Sequence, residues 1–484
     1  MRRVAKVLLL ALAAVVAVCS VRVVLLRRRV PEAAADVGLQ IDAQAATDRL
    51  AGALRCATVS DADPSRTAHA ELERLGRHLE ASFPRTFGLP RERLGAHALL
   101  LSWRGSDDGA PPVLLMAHQD VVPVEPGTEK AWTHPPFSGA IADGFVWGRG
   151  ALDDKGSLLA ILEATEALLG RGFRPRGTVY LGFGADEEVG GRDGAVRMVE
   201  ALRARGVRLG WVLDEGTPVS DGIVTIAPRP VALIATAEKG YVSLELLARA
   251  RGGHSSMPPS TTAIGRIARA VSRIEERPMP ATLEGPTGEL LDALAPEASL
   301  PMRFLLANRW LFDRLVLRGL LGAPQTAATV RTTLAATMFH AGVKDNVLPQ
   351  EARAVINARV HPSQRVADVL AQVRQAIDDP EVTVRPVAGL VSEPSPIARS
   401  TGPGFLAITR AVRRVFPEAA IAPALMVGAS DARHTVGIAA DVYRFGPWKL
   451  GPGDLPRVHG TDERISIEGY LRGIRFYAQL ISGL

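Results

Sequence analysis

The chain has only two cysteines, Cys19 and Cys56, among 484 residues. This number excludes the disulfide framework of a small secreted domain, and one of the two lies inside an apolar run. Sulfur is therefore not expected among the ligands of any metal site. A chain of this length exceeds what one hydrophobic core usually organises, so two or more domains are expected.

The sequence also lacks the distributed basic charge of a nucleic-acid-binding protein. The formal net charge is +6, but residues 1–30 carry seven bases and no acid. These bases are Arg2, Arg3, Lys6, Arg22, Arg27, Arg28 and Arg29. Without them the remaining chain has a net charge of −1. The basicity is confined to the N-terminus, and no nucleic-acid partner is predicted.

Long apolar runs are absent except for one, from Val7 to Leu26. It exceeds the roughly 7–15 residues of a signal-peptide core and approaches the ~20 that span a bilayer. Arg22 near its end can extend to the membrane surface. We predict that residues 1–30 form an uncleaved single-pass anchor, with the remainder outside the cytoplasm. A cleaved signal and secretion, or a buried helix, are the alternatives, and charges at both ends leave the orientation open.

After this segment, short apolar runs alternate with amphipathic stretches. Residues 112–116, 178–183 and 211–213 are continuously apolar, as in strands buried in a parallel sheet. Helical patterns at 158–169 and 194–204 separate them. Strand–helix repetition of this kind predicts an α/β fold with a doubly wound, mainly parallel sheet.

The pattern changes after Gly240, where residues 241–250 alternate like a half-exposed antiparallel strand. We interpret this as an inserted α+β lid domain that contains a helical excursion near 282–335. The predicted divisions are an N-terminal segment at 1–30, a main domain at 31–238 and 389–484, and the inserted lid or dimerisation domain at 239–388.

Acids and a histidine follow several predicted strands. His118 and Asp120 lie two residues apart at a strand end, so their side chains leave on the same face. Asp120 can therefore accept a hydrogen bond from the imidazole and orient it. Asp153 occupies a glycine-rich turn before a helix, where a helix cap is the simpler explanation for one acid taken alone. In open parallel sheets, however, ligands bind at the carboxyl ends of the strands.

Three adjacent carboxylates at 186–188 follow another buried strand. They repel one another unless a cation neutralises them, although a surface loop would also accommodate them. Two divalent ions that share one bridging carboxylate need two histidines and three acids. The sequence supplies His118, Asp153, Glu188, Asp214 and His459. Glu187 then remains free as general base on a metal-bridging water and as proton donor to the leaving amine. Such ligands suit Zn²⁺ best, with Co²⁺ or Mn²⁺ as alternatives.

His254 lies beside two glycines in the inserted segment. Taken alone it is an ordinary turn histidine, but an imidazole on a flexible loop can also deliver an oxyanion donor to a cleft.

These motifs resemble the dizinc exopeptidase family that includes aminoacylase, acetylornithine deacetylase and glutamate carboxypeptidase. The segments at 430–434, 442–445 and 457–460 are most similar to its Gly-X carboxypeptidase (carboxypeptidase S) and N-acyl-amino-acid hydrolase branch. The resemblance extends from about residue 48 to the C-terminus.

The resemblance implies a role for each matching position. His118, Asp153 and Asp214 would bind one ion, Asp153, Glu188 and His459 the other, and Glu187 would be the base. It implies a cis peptide bond between Asp153 and Asp154. In dimeric relatives the histidine matching His254 reaches the partner's active site, which implies a homodimer through the lid. The implied substrate-binding residues are Asn346, Arg359, Gly428 and Arg433.

We therefore predict a membrane-tethered dizinc metallopeptidase or amidohydrolase. It would cleave the amide bond of small peptides or N-acyl amino acids and release the C-terminal amino acid. One alternative is an N-acyl-amino-acid synthase/hydrolase acting on fatty-acyl amino acids. The other is a non-catalytic binding protein on the same fold, which would be expected to lose the base or a ligand, whereas none is missing.

Overall fold

The computed structural model describes residues 2–26, 32–389 and 391–484. Its strands are β1 (Arg91–Leu94), β2 (Ala98–Trp103), β3 (Val113–His118), β4 (Ala140–Ala142), β5 (Phe145–Trp147), β6 (Val179–Gly184), β7 (Trp211–Asp214), β8 (Val219–Ser220), β9 (Val231–Glu238), β10 (Gly240–Arg249), β11 (Gly253–His254), β12 (Thr333–Ala341), β13 (Val347–Leu348), β14 (Glu351–Val360), β15 (Val382–Pro386), β16 (Ala420–Met426), β17 (Val442–Arg444), β18 (Lys449–Leu450) and β19 (Arg464–Ser466).

The helices are α1 (Arg2–Leu25), α2 (Ala43–Leu54), α3 (His69–Ser82), α4 (Lys155–Gly170), α5 (Ala195–Ala204), α6 (Ala263–Glu276), α7 (Pro286–Leu294), α8 (Leu300–Ala307), α9 (Arg309–Leu320), α10 (Pro324–Ala327), α11 (Val366–Ile377), α12 (Pro403–Val415) and α13 (Ile467–Ser482).

A ten-stranded sheet organises the larger part of the chain. Its order is β1-β2-β6-β3-β7-β17-β9-β8-β18, and β16 pairs with β9. The pairs β6–β3, β3–β7 and β7–β17 are parallel. Every residue of β3 is buried, because α4 and α13 contribute to a core on one face and α5 to a second core on the other. The mainly parallel α/β fold predicted from the sequence is confirmed.

A second sheet is inserted between β9 and β16. It is antiparallel, in the order β12-β14-β10-β15, and α6 and α11 pack with it around a separate core. Strand β10 alternates between buried and half-buried positions along much of its length, as expected for a sheet covered on one face. Lys239 alone separates β9 from β10, so the chain passes from one sheet to the other within one residue.

The helices α7 to α9 lie in the inserted part and build a small core of their own around Leu291 and Leu306. Helix α1 is long and apolar enough to cross a membrane, with a mean hydropathy of 2.7, and it is the one such helix among the described residues. Its C-terminal part contacts α8.

Candidate metal centre at the carboxyl edge of the large sheet

Two histidines face opposite oxygens of one aspartate. The Asp153 Oδ1 atom lies 2.9 Å from His118 Nε2, and Asp153 Oδ2 lies 3.0 Å from His459 Nε2. His118 ends β3, Asp153 lies in the turn before α4, and His459 precedes β19. The peptide bond between Asp153 and Asp154 is cis, as the resemblance implies. A carboxylate that offers one oxygen to each imidazole has the disposition of a bridge between two cations.

Glu188 completes one side of this cluster. It lies in the short 3-10 turn after β6, and its Oε1 atom is 3.4 Å from His459 Nε2. This oxygen is buried and accepts no hydrogen bond. One ligand atom each from His118, Asp153 and Glu188 lie within 4.8 Å of one another. Nitrogen and carboxylate oxygen donors at these separations, together with an unsatisfied buried oxygen, fit a divalent cation such as Zn²⁺.

The other side of the cluster differs from the ligand set expected from the sequence. Glu215 Oε1 lies 3.7 Å from His118 Nε2, and His118, Asp154 and Glu215 form a second group that could hold a cation. The Asp214 carboxylate instead accepts backbone N–H groups from Ala432 at 2.7 Å and from Glu215 at 2.9 Å. Each Asp214 oxygen thus accepts one backbone N–H group, and the adjacent Glu215 side chain is the one that approaches His118.

Asp120 connects the first histidine to the turn that carries the acids. The His118 Nδ1 atom lies 3.0 Å from the Asp120 main-chain oxygen and 3.4 Å from its Oδ1. Donation from Nδ1 leaves Nε2 unprotonated and free to bind a metal. The Asp120 carboxylate accepts the Ser60 hydroxyl at 2.7 Å and the backbone N–H groups of Glu187 and Glu188 at 3.2 Å each. Asp120 thereby fixes the position of both glutamates relative to His118.

The Glu187 side chain lies beside the cluster, with 10% of its surface exposed, and faces neither imidazole at ion-pair distance. Burial, and then the neighbouring Asp431 carboxylate, raise the pKa of Glu187 well above its usual value. Arg433 Nη1 lies 3.6 Å from Glu187 Oε1 and partly offsets this effect. A carboxyl group whose pKa is shifted toward neutrality can both accept and return a proton, as general acid–base catalysis requires.

The two imidazoles bind protons tightly when only carboxylates surround them. The nearby carboxylates of Asp153 and Glu188 raise the pKa of His459 to about 10, against the opposing effect of burial. Burial disfavours the charged form of His118, but hydrogen bonds to Asp120 and Asp153 outweigh it and hold its pKa well above the usual value. A cation must displace these protons, so metal binding is coupled to proton release.

We expect metal affinity to increase with pH, by about tenfold per pH unit for each proton released. Below the raised pKa values each histidine carries a proton that competes with the cation, and this competition weakens as the pH rises. Competition with a chromophoric chelator at pH 6, 7 and 8 measures the dependence. His459→Gln should reduce the slope, whereas His340→Gln on the exposed strand β12 should not. A pH-independent affinity would contradict the expectation.

A buried ion pair positions the bridging aspartate. Glu463 Oε2 lies 2.7 Å from Arg149 Nη1, and both side chains are almost inaccessible. The other oxygen, Glu463 Oε1, accepts the backbone N–H groups of Leu152 at 2.8 Å and Asp153 at 3.2 Å. Arg149 also donates to the main-chain oxygen of His459 at 3.0 Å. The pair therefore fixes the backbone at two of the cluster's residues.

Glu463→Gln should lower the free energy of unfolding by about 3–5 kcal/mol, because it leaves the buried Arg149 charge without a partner. Chemical denaturation of the purified full-length protein measures the change. Asp108→Asn serves as control, since Asp108 and Arg104 form an ion pair of which both side chains are largely exposed. If the two variants lost equal stability, the buried pair would not have the role assigned to it.

Four of the other residues expected at the site lie apart from the cluster or on its rim. His254 and Asn346 are exposed on the β11–β13 ribbon, where His254 Nδ1 accepts hydrogen bonds from Ser256. Arg359 stacks over the Tyr241 ring at 4.8 Å. Gly428 follows β16. Among the described residues no hydrogen bond or ion pair joins these four to the metal ligands. The oxyanion role of His254 and the substrate-binding roles of the other three stay predictions.

Three acidic side chains at this edge of the sheet were not predicted from the sequence. Glu215, Glu463 and Asp431 are each next to or near an expected residue, but nothing in their local sequence tells which acid faces inward. The adjacent residues Asp214 and Glu215 predict that an acid ends this strand, but not which of the two faces His118.

Histidines and carboxylates lie together at the carboxyl ends of the strands of a mainly parallel sheet. This arrangement is typical of a metal-dependent hydrolase. The sequence model of Peptidase family M20/M25/M40 matches residues 114–483, and the chain belongs to this family.

Two relatives and one solved structure illustrate the similarity. The chain is 41% identical to the N-fatty-acyl-amino acid synthase/hydrolase PM20D1 of Xenopus tropicalis over 90% of this chain and 85% of that protein. It is 30% identical to carboxypeptidase S of Saccharomyces cerevisiae, over 90% and 83% of the two chains. The fold is shared with the M20 family metallo-carboxypeptidase Sso-CP2 of Sulfolobus solfataricus, with a TM-score of 0.66, 19% identity and coverage of 92% and 99%.

Proposed function

We propose that the protein is a two-metal carboxypeptidase or amidohydrolase that releases the C-terminal amino acid from small peptides or N-acyl amino acids. The observation that carries this proposal is the position of Asp153, whose two oxygens face His118 and His459, with Glu187 close by and unligated. The raised pKa of Glu187 beside the expected metal ligands supports a catalytic site over a non-catalytic binding site.

In this proposal His118, Asp153 and Glu215 would hold one ion, and Asp153, Glu188 and His459 would hold the other. Zinc fits these donors best. The two ions would polarise the scissile carbonyl and lower the pKa of a water molecule. We substitute Glu215 for Asp214, because Glu215 Oε1 lies 3.7 Å from His118 Nε2 and Glu215 belongs to the second group of possible ligands.

The side chains of the protein supply the proton transfers and the orientation. Glu187 takes a proton from the attacking water and returns it to the leaving amine. Asp120 keeps His118 in the tautomer that leaves Nε2 free, through the contact at Nδ1. Arg433 lies within 4 Å of the base and limits the rise of its pKa. We propose that Asn346, Arg359 and Gly428 bind the substrate and that His254 supplies an oxyanion donor.

The function is tested with dipeptides of the Gly-Leu type and with N-acyl amino acids as substrates. We expect release of the free amino acid by the purified full-length protein, loss of this activity in a chelator, and recovery when Zn²⁺ is restored. Metal analysis of the same samples relates activity to bound ions. Turnover that persists after complete removal of metal would exclude the two-metal mechanism, and absence of turnover in the metal-loaded protein would favour a binding role.

A second candidate activity is the synthesis and hydrolysis of N-fatty-acyl amino acids. It is supported by the 41% identity to a relative with that name over most of both chains. One active site lowers the activation barrier for both synthesis and hydrolysis of the amide bond. Both directions should therefore be assayed, synthesis from a fatty acid and an amino acid, and hydrolysis of the N-acyl amino acid.

We also propose a membrane-anchored homodimer. Residues 1–30 would anchor the chain, supported by the length and apolarity of α1, with the enzyme outside the cytoplasm. Residues 239–388 would form the lid and dimerisation domain between 31–238 and 389–484. Strand β12 supports a dimer because it is an edge strand with mostly exposed side chains, and such an edge can pair with another copy.

A further inference from the structure

Helix α9 is apolar on both of its sides. Val316, Leu317 and Leu320 pack toward the small core of the helical excursion. On the opposite face Trp310, Leu311 and Leu315 are 57%, 47% and 55% exposed. Large apolar side chains clustered on an exposed face mark a contact surface, and no residue of α9 is fully buried. Something outside the described residues is therefore expected to cover the outer face of α9.

The same face carries positive charge and no acid. Arg314 and Arg318 are exposed and follow Trp310 at helical spacing. Within the described residues neither guanidinium has a hydrogen-bond or ion-pair partner. Asp313, the one acid of α9, is half-buried and bound to Arg309 at 3.0 Å. Exposed tryptophan and leucine interleaved with unpaired arginine is the composition of a helix that lies in the interface of an anionic bilayer.

Helix α1 meets the excursion at the start of α9. The Asn308 side-chain amide donates to the main-chain oxygen of Cys19 at 3.2 Å, and Arg22 Nε donates to the main-chain oxygen of Ala307 at 2.9 Å. Cys19 is the one buried residue of α1. Trp310 follows Asn308 by two residues, so the outer face of α9 begins beside the C-terminal part of α1.

The length of α1 fixes where a membrane surface would lie. From Val7 to its end at Leu25, α1 is largely exposed and rises ~28 Å at 1.5 Å per residue, close to the ~30 Å hydrocarbon core of a bilayer. The bilayer boundary therefore falls between Arg22 and Leu25, within about two helical turns of the level at which α8 and α9 contact α1. The nearby apolar side chains of Leu300 and Met302 in α8 are also exposed.

We propose that the outer face of α9, with the exposed apolar residues of α8, rests in the headgroup region of an anionic lipid bilayer beside the emerging α1 helix. This inference depends on the proposed membrane anchoring of α1. The contact would hold the enzyme against the bilayer surface instead of leaving it on a free tether. An acylated substrate dissolved in the membrane would then reach the protein without first entering bulk water.

The test uses the full-length chain with one added cysteine at a time, to which an environment-sensitive fluorophore is attached. Trp310→Cys and Leu315→Cys report on the outer face of α9. Val343→Cys is the matched control, because Val343 is an apolar residue, 97% exposed, two residues beyond the end of strand β12. The native Cys19 and Cys56 are each 1% exposed, and labelling of the unmodified chain measures their background. The proteins are reconstituted into phosphatidylcholine vesicles with and without phosphatidylglycerol.

We expect lipids with a quencher in the upper acyl chain to quench labels at 310 and 315 but not at 343. Phosphatidylglycerol should increase the quenching, and the double substitution Arg314→Gln, Arg318→Gln should remove that increase. Labels at 310 and 315 that stay as accessible to aqueous iodide as the label at 343 would overturn the proposal. Protection from both quenchers in a dimeric protein would also overturn it, since a second copy would then cover the face.

Flotation of the vesicles separates this inference from the anchor on which it depends. A protein that does not float with vesicles lacks the anchor, which overturns both. A protein that floats but whose labels are not quenched by lipid keeps the anchor and overturns the α9 contact alone. Hydrolysis of a soluble dipeptide by the same samples tests the catalytic proposal independently of either outcome.

Discussion

Glu187→Gln is expected to reduce amide hydrolysis by about 10²–10⁴-fold while both metal ions remain bound. The substitution removes the group that exchanges protons with water and with the leaving amine but keeps the size of the side chain and one of its two acceptor oxygens. Because Glu187 faces neither imidazole at ion-pair distance, the ligand set is unchanged. Steady-state kinetics on a dipeptide and metal analysis of the same protein give the two readouts.

The control for this variant is Glu200→Gln on the exposed side of α5. It makes the same chemical change far from the expected chemistry, so its activity should match the unmodified protein. Two results would contradict the assignment of Glu187. One is full activity of Glu187→Gln, and the other is a loss of activity that follows a loss of metal, which would make Glu187 a ligand.

Glu215→Gln is expected to change the metal content of the protein, whereas Asp214→Asn is expected to change its stability. Glu215→Gln should lower the bound metal from two ions to one and abolish activity, because an amide is a much weaker ligand than a carboxylate. Asp214→Asn should keep both ions. It should lower the free energy of unfolding by about 1–3 kcal/mol, since one backbone N–H, of Ala432 or Glu215, then loses its buried acceptor.

Metal analysis and denaturant unfolding of both variants and of the unmodified protein distinguish the two acids. They differ by one position and by one methylene, so the pair is a matched comparison. Loss of one ion in Asp214→Asn with two ions retained in Glu215→Gln would restore the ligand set that the resemblance implies.

The parallel sheet was predictable from local sequence. The runs at 112–116, 178–183 and 211–213 correspond to β3, β6 and β7, because strands covered on both faces must be apolar throughout. Once they were recognised as parallel neighbours, the acids and the histidine that follow them could be expected at one edge. His118, Asp153, Glu188 and His459 do lie close together there.

The choice between Asp214 and Glu215 was not predictable from local sequence. Both follow the same strand, and which carboxylate faces His118 depends on the backbone donor of Ala432, more than two hundred residues later in the chain. Arg149 and Glu463 illustrate the same limit, because a buried ion pair between distant segments leaves no periodic pattern.

The sequence by itself determined the types of side chain available, the strands that end in them and the single apolar segment at the N-terminus. These properties follow from periodicity and composition, which act over a few residues. Only the tertiary structure decided which oxygen faces which nitrogen, which acid is satisfied by backbone N–H groups, and that α1 meets α8 beside an uncovered face of α9. Those outcomes depend on contacts between segments far apart in the chain, where burial and hydrogen-bond satisfaction select one arrangement from many that local sequence allows.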